Sequence, residues 1–138
     1  MTIRDCTPAD MEEVVALWQR CGLTRPWNDP RKDFALALSA PNATVMAGFD
    51  GGVLVTALMT GFDGHRGWVY YLAVDPAHQR RGHGRTMMQA AESWLRERGA
   101  PKIQLMVRDD NEAALEFYQR FGLERQAVVT LGKRLDGR

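Results

Sequence analysis

The stretch HQRRGHGR, from His78 to Arg85, sets three arginines and two histidines around two glycines. Residues of these types in this order could hold an anion. Gly82 and Gly84 let the backbone come close to a ligand, because no side chain stands over them. A helix starting here would aim its unbonded first N–H groups, which carry partial positive charge, at whatever lies over the turn. Arg80, Arg81 and Arg85 add forked donors suited to phosphate oxygens. The same residues could instead form only a basic turn tightened by glycine. Two phosphate motifs are excluded. The string G-x-x-x-x-G-K-[ST] does not occur, and Met87 stands where a dinucleotide fingerprint has its third glycine. Further along, NEAALEFY places Asn111 and Tyr118 on one helix face, about 10 Å apart along the axis. A phenol there could donate a proton, and an amide could hydrogen-bond a ligand. Equally, Asn111 could be an N-cap and Tyr118 a core aromatic with a satisfied hydroxyl.

The elements that must position these groups follow from pattern. TIRDC, from Thr2 to Cys6, reads as a first strand, and Thr7 or Asp10 can cap the helix after it. Val14, Leu17, Trp18 and Cys21 fall at helical spacing, and Gly22 stops the pattern. RPWNDP is a turn, with Asp29 as N-cap, Pro30 at the first helical position and a second helix from about Arg31 to Ala40. ATVMAGF and VLVTALMTG form a hairpin about DGG, with Asp50 and Gly51 expected at the left-handed positions. After the loop FDGHRG, WVYYLAV is apolar enough to be a central strand covered on both faces. Beyond the glycine turn, Met87, Met88, Ala91, Trp94 and Leu95 make one helical stripe. KIQLMV is a further strand, DDNEAALEFYQRFG a capped helix, and LERQAVVTLGKRL one or two closing strands. The expected fold is α/β, a single domain over residues 1–138 with a mixed, mostly antiparallel sheet and no internal repeat or linker.

The string V-x-P-x-x-Q-R-R-G-H-G, from Val74 to Gly84, resembles the Q/R-x-x-G-x-G/A motif of the GNAT superfamily of N-acetyltransferases. The element order resembles that family's over the whole chain. The resemblance implies a central sheet of six to seven strands flanked by about four helices and splayed between the fourth and fifth strands. It implies that Gln79, Arg80, Arg81, Gly82, His83, Gly84 and Arg85 hold the diphosphate of coenzyme A. Backbone groups of Leu72, Ala73 and Val74 would meet the pantetheine arm, with the Leu72 N–H on the acetyl carbonyl and a bulge nearby. NEAALEFY fits the family's N-x-x-A-x-x-x-Y, so Asn111 would bind pantetheine and Tyr118 would act as general acid toward the departing thiolate. The implied activity is an acyltransferase reaction: acetyl-CoA, as cosubstrate, gives its acetyl group to a primary amine by direct attack in a ternary complex. RPWNDP, DGHRG and LGKRL are similar to the small YpeA-like acetyltransferases, a resemblance that supplies no substrate.

The general base is not legible. Relatives that acetylate a protein N-terminus carry a glutamate in L-E-V, where this chain has Leu105, Met106 and Val107, and a methionine is no base. His65 has a suitable ordinary pKa and Asp29 lies in an acceptor-side loop, but either could be a solvated or capping residue. Trp27, Asn28, Tyr70 and Tyr71 are further acceptor-side candidates. Tyr70 and Tyr71 are expected to alternate, one of them facing the acceptor. A net charge of +1 gives no bulk attraction to nucleic acid or an anionic membrane. No run reaches the roughly 18 apolar residues of a membrane span. The start, MTIRDCTPADMEE, lacks a basic segment followed by an apolar core, so a cytoplasmic location is expected. Three scattered histidines and two distant cysteines lead to an expectation of no metal. The expected partner is an amine-bearing small molecule or protein, bound by a monomer or homodimer. The rival reading is a non-catalytic acyl-CoA-binding sensor or regulatory module of the same fold.

Overall fold

A computed structural model describes residues 1–137, which divide into two compact units, Met1–Leu105 and a second from Met106 onward. In the first unit, strand β1 (Thr2–Asp5) leads to helices α1 (Met11–Arg20) and α2 (Pro30–Ser39). Then come β2 (Ala43–Asp50), β3 (Val53–Phe62), β4 (Gly67–Val74), α3 (His83–Glu97) and β5 (Ile103–Leu105). The second unit holds α4 (Glu112–Phe121). The strands form one sheet in the order β1-β2-β3-β4-β5. The first three pairings are antiparallel, whereas β4 and β5 run parallel, as the crossover through α3 allows. Among the described residues no helix is long and apolar enough to cross a membrane.

Alternation along the strands decides what covers each face. Val45, Ala47, Ala57 and Ala73 join Val14, Val15, Leu17, Trp18 and Phe34 of α1 and α2 in one apolar cluster. Gly67, opposite Phe62, is turned the other way: a Cβ there would meet Leu95 Cδ1 of α3 at 2.6 Å. The buried stripe Met87, Met88, Ala91, Trp94 and Leu95 of α3 therefore covers the second face, and β4 lies between helices as expected.

β4 carries a local irregularity. Ala57 opposes Ala73 but Met59 opposes Tyr70, so Leu58 spans two residues, Tyr71 and Leu72. Tyr71 has φ +58°, a conformation uncommon for any residue other than glycine. The bulge near Leu72 is present. It also overturns the expected alternation: Tyr70 shares the face of Met59, and both Met59 and Tyr71 pack on the α1–α2 cluster. The extra residue resets the period, so both tyrosines lie on one side. On the opposite edge, pairing with β5 covers only Gly67–Val69, leaving Tyr70–Val74 without a strand partner there.

Three expectations are corrected. The sheet has five strands, not six to seven, among the described residues. The tail forms no strand; Val128, Val129, Leu131 and Leu135 are 76–92% exposed. Strand-forming residues need a neighbouring edge to pair with, and propensity alone supplies none. In the β2–β3 hairpin, the left-handed positions fall to Gly51 and Gly52, while Asp50 remains in β2 opposite Val53.

Candidate functional site

The glycine turn is built from β4 outward. The Asp75 carboxylate accepts from the Ala77 N–H at 2.9 Å and from Arg20 of α1 at 2.9 Å, fixing where the chain leaves the sheet. These hydrogen bonds, the Ala77 N–H foremost, hold the Asp75 carboxyl below its ordinary pKa. A short 3-10 turn (Pro76–His78) follows, and then Arg80 at φ +66° and Gly82 at φ +78° bend the backbone over. Gly82 caps α3 without a side chain, and its carbonyl accepts both the Thr86 N–H and the Thr86 hydroxyl at 3.0 Å. The N–H groups of His83 and Gly84 thus precede the first bond of the helix and have no intrahelical acceptor. A Cβ built on Gly82 meets nothing within 4 Å, so the space over the turn is open. Gln79, Arg80, Arg81 and Arg85 are exposed beside it. These groups could grip a diphosphate by helix-start amides and arginine forks.

His83 departs from that picture. Its Nε2 is buried without a partner among the described residues. Ring nitrogens of His83 and His78 and a carboxylate oxygen of Asp50 lie within 4.8 Å of one another. Two histidines and an aspartate could serve as metal ligands, a grouping that sequence spacing does not reveal because Asp50 comes from the distant hairpin. Arg81 Nη1 approaches His78 Nδ1 at 3.3 Å.

Of the β4 groups expected to meet pantetheine, two carbonyls already accept hydrogen bonds. Ala73 takes the Thr56 hydroxyl at 2.7 Å, and Val74 takes the Cys21 thiol at 3.2 Å. Leu72 sits in the bulge on the unpaired stretch of the strand. Beside it, the Tyr71 ring stacks on buried Trp18, with centroids 4.0 Å apart and planes at 14°. Its hydroxyl donates to Asp33 Oδ2 of α2 at 2.6 Å. Burial, and then the hydrogen bond to Asp33, push the Tyr71 phenol well above its ordinary pKa. Tyr70 is 41% exposed and stacks on Trp68.

The base candidates fare unequally. Asp29 Oδ1 accepts from the Arg31 and Lys32 N–H groups at 3.0 and 3.4 Å, the work of an N-cap. His65 is exposed in a loop organised by Asp63, which accepts from the N–H groups of His65 and Arg66 and from Trp68 Nε1. Trp27 is 54% exposed. Asn28 lies in the same loop, where its N–H donates to the Arg25 carbonyl at 3.1 Å.

In the second unit, Asn111 caps α4, its Oδ1 accepting from the Ala114 N–H at 3.1 Å. That leaves the amide NH2 for a ligand. Tyr118 is half-buried and makes an edge contact with Phe117; burial pushes its phenol up to about 12. It is therefore a protonated donor across the neutral range.

The model of the Acetyltransferase (GNAT) family matches residues 8–123. The chain belongs to the GNAT family. An acetyltransferase from Yersinia enterocolitica is 41% identical to this GNAT chain over 135 residues, 98% of the chain and 96% of the relative. Among solved structures, AAC(6')-Iy in complex with the bisubstrate analogue CoA-S-monomethyl-acetylneamine superposes with a TM-score of 0.81 at 18% identity, covering 96% and 97% of the two chains. An aminoglycoside acetyltransferase from an uncultured soil metagenomic sample, in complex with sisomicin, gives 0.79 at 19%, covering 97% and 95%. At these identities the structural likeness establishes the fold.

One contact beside the β4 bulge escaped sequence reasoning, the hydrogen bond from Tyr71 to Asp33. Asp33 looks like an ordinary polar position in the first turn of α2. No signal near it in the chain points to the partner, which lies 38 residues away.

Proposed function

We propose that this chain is an acetyl-CoA-dependent N-acetyltransferase acting on a primary amine. The observation that carries this reading is the open, donor-lined turn at the start of α3, directly after a bulged strand with one unpaired edge. The turn fits a diphosphate: left-handed Gly82 leaves room for it, and the N–H groups of His83 and Gly84 provide donors. Acetyl-CoA would supply an activated thioester. The residues of the chain would do the rest. Backbone along Leu72–Val74 would align the acyl arm, and the Leu72 N–H would polarise the carbonyl where negative charge develops. Asn111 would hold the arm through its free amide, and Tyr118 would protonate the departing sulfur. Alignment of two bound reactants would account for much of the acceleration without a covalent enzyme species. Names of relatives and neighbours, which include acetyltransferases and a coenzyme A conjugate, support the same reading.

Calorimetric titration with acetyl-CoA, coenzyme A and ATP, followed by thiol release with a panel of amines, tests it. Binding of both coenzyme A forms but not ATP, with amine-dependent thiol release, is expected. Binding without release would favour the sensor, and no binding would remove the turn as a diphosphate site.

A further inference from the structure

The acyl-transfer reading uses the backbone N–H of His83 and leaves its imidazole ring without a role. His78 closes the 3-10 turn after β4, His83 is the first residue of α3, and Asp50 ends β2 just before the left-handed Gly51 and Gly52. One ring nitrogen of each histidine and one carboxylate oxygen of Asp50 lie within 4.8 Å of one another. Among the described residues the Asp50 carboxylate makes no ion pair. The Nε2 of His83 is shielded from solvent and has no hydrogen-bond partner. A shielded nitrogen with neither water nor a partner is costly, and a metal ion on its lone pair removes that cost. Tetrahedral ligands on bonds of about 2.1 Å stand about 3.4 Å apart, so atoms within 4.8 Å need to close by at most roughly 1.4 Å. Asp50 is exposed and His78 partly so, which lets side-chain rotation supply that closure. We propose that Asp50, His78 and His83 form a zinc-class metal site that clasps the glycine turn to the β2–β3 hairpin.

The ligand set selects the ion. Two imidazoles and one carboxylate suit Zn2+ and its transition-metal neighbours, whereas Mg2+ and Ca2+ take oxygen ligands. Three protein ligands leave a fourth tetrahedral position to water. Arg81 Nη1 stands 3.3 Å from His78 Nδ1, and this exposed side chain turns out into solvent when the ring takes the ion. Position gives the role. Between His78 and His83 lie Arg80 at φ +66° and Gly82 at φ +78°. A left-handed arginine persists only where its surroundings hold it. An ion joining the two histidines spans that bent segment, and Asp50 ties it to a strand whose backbone is fixed by pairing with β3. The clasp depends on these side chains alone and stands apart from the acetyltransferase reading.

The test titrates the chelator-stripped full chain with Zn2+ by calorimetry and records visible absorption with Co2+ in its place. One zinc per chain is expected, with the Co2+ spectrum of a tetrahedral site and without the thiolate bands that Cys6 or Cys21 would add. Asp50→Ala and His78→Gln are each expected to weaken zinc binding by roughly 100-fold or more, since a direct ligand matters at least as much as the groups behind it. Neither residue is in the buried core, so the metal-free variants are expected to melt as wild type does, which separates a lost ligand from a lost fold. Zinc is expected to slow tryptic cleavage after Arg80 and Arg81 severalfold in wild type and to leave it unchanged in Asp50→Ala. Any of four results would overturn the site: wild type that binds no zinc, affinity that survives both substitutions, thiolate bands with Co2+, or displacement of zinc by Mg2+. Tryptic cleavage indifferent to bound zinc would overturn the clasp.

Discussion

Gly82 offers a sharp perturbation, because its backbone and its missing side chain make separate demands. Its φ of +78° costs an ordinary L-residue roughly 1–2 kcal/mol, whereas asparagine visits this region more readily. Among the described residues, and apart from its two chain neighbours, nothing lies within 4 Å of an added Cβ, so substitution brings no clash there. Gly82→Leu is thus expected to lower Tm by about 5 °C or somewhat more, and Gly82→Asn by less. Coenzyme A binding is expected to follow a different order. Either side chain enters the space over the first amides of α3, and each charge-assisted bond lost there is worth about 1.5–3 kcal/mol. Losing one or two such bonds weakens binding by roughly 100-fold or more in both variants, including the Asn variant whose stability is nearly intact. Thermal melts and calorimetry on the same samples decide the matter. If Gly82→Asn binds coenzyme A within twofold of wild type, the turn does not cradle the diphosphate.

Three further outcomes follow from named contacts. Tyr118→Phe is expected to lower the rate of thiol release far more than it weakens coenzyme A binding; because burial holds the phenol near 12, the wild-type rate shows no alkaline loss from this group below about pH 10. Gly67→Ala drives a Cβ to 2.6 and 2.7 Å from the two methyls of buried Leu95, and chemical denaturation is expected to read about 1–3 kcal/mol of lost stability. The Asp10 carboxyl is held down to about 2, first by its hydrogen bond from Arg4, so its contribution is fully present above the unfolded value near 3.9 and lost as pH falls through about 2. The stability difference between wild type and Asp10→Asn is accordingly expected to be constant above about pH 4 and to vanish near pH 2, as read by denaturation at each pH.

Local chemistry was what the sequence made legible. The N-cap glycine of α3, the Asn111 cap and left-handed Gly122 end of α4, and the apolar stripe from Met87 to Leu95 each carry their signal within a few residues. The glycine turn between β4 and α3 was readable for the same reason. What was hidden depends on partners distant in the chain. A bulge at Tyr71 and Leu72 leaves no period of its own, so strict alternation sent two tyrosines to opposite faces that the fold places on one. Asp33 gains its meaning only from a tyrosine 38 residues away. Asp50, His78 and His83 converge because a hairpin tip meets the glycine turn, which no spacing encodes. The tail from Leu123 onward has the composition of a strand, but pairing is decided by an available edge and not by composition.

The most direct test of the central claim is mass spectrometry of the products when purified protein, acetyl-CoA and an amine panel are incubated together. The predicted result is an amine that gains one acetyl group in step with the thiol released, and that gains none with Gly82→Asn under the same conditions. Acetyl-CoA left intact with every amine, by a folded protein that binds coenzyme A, would contradict it.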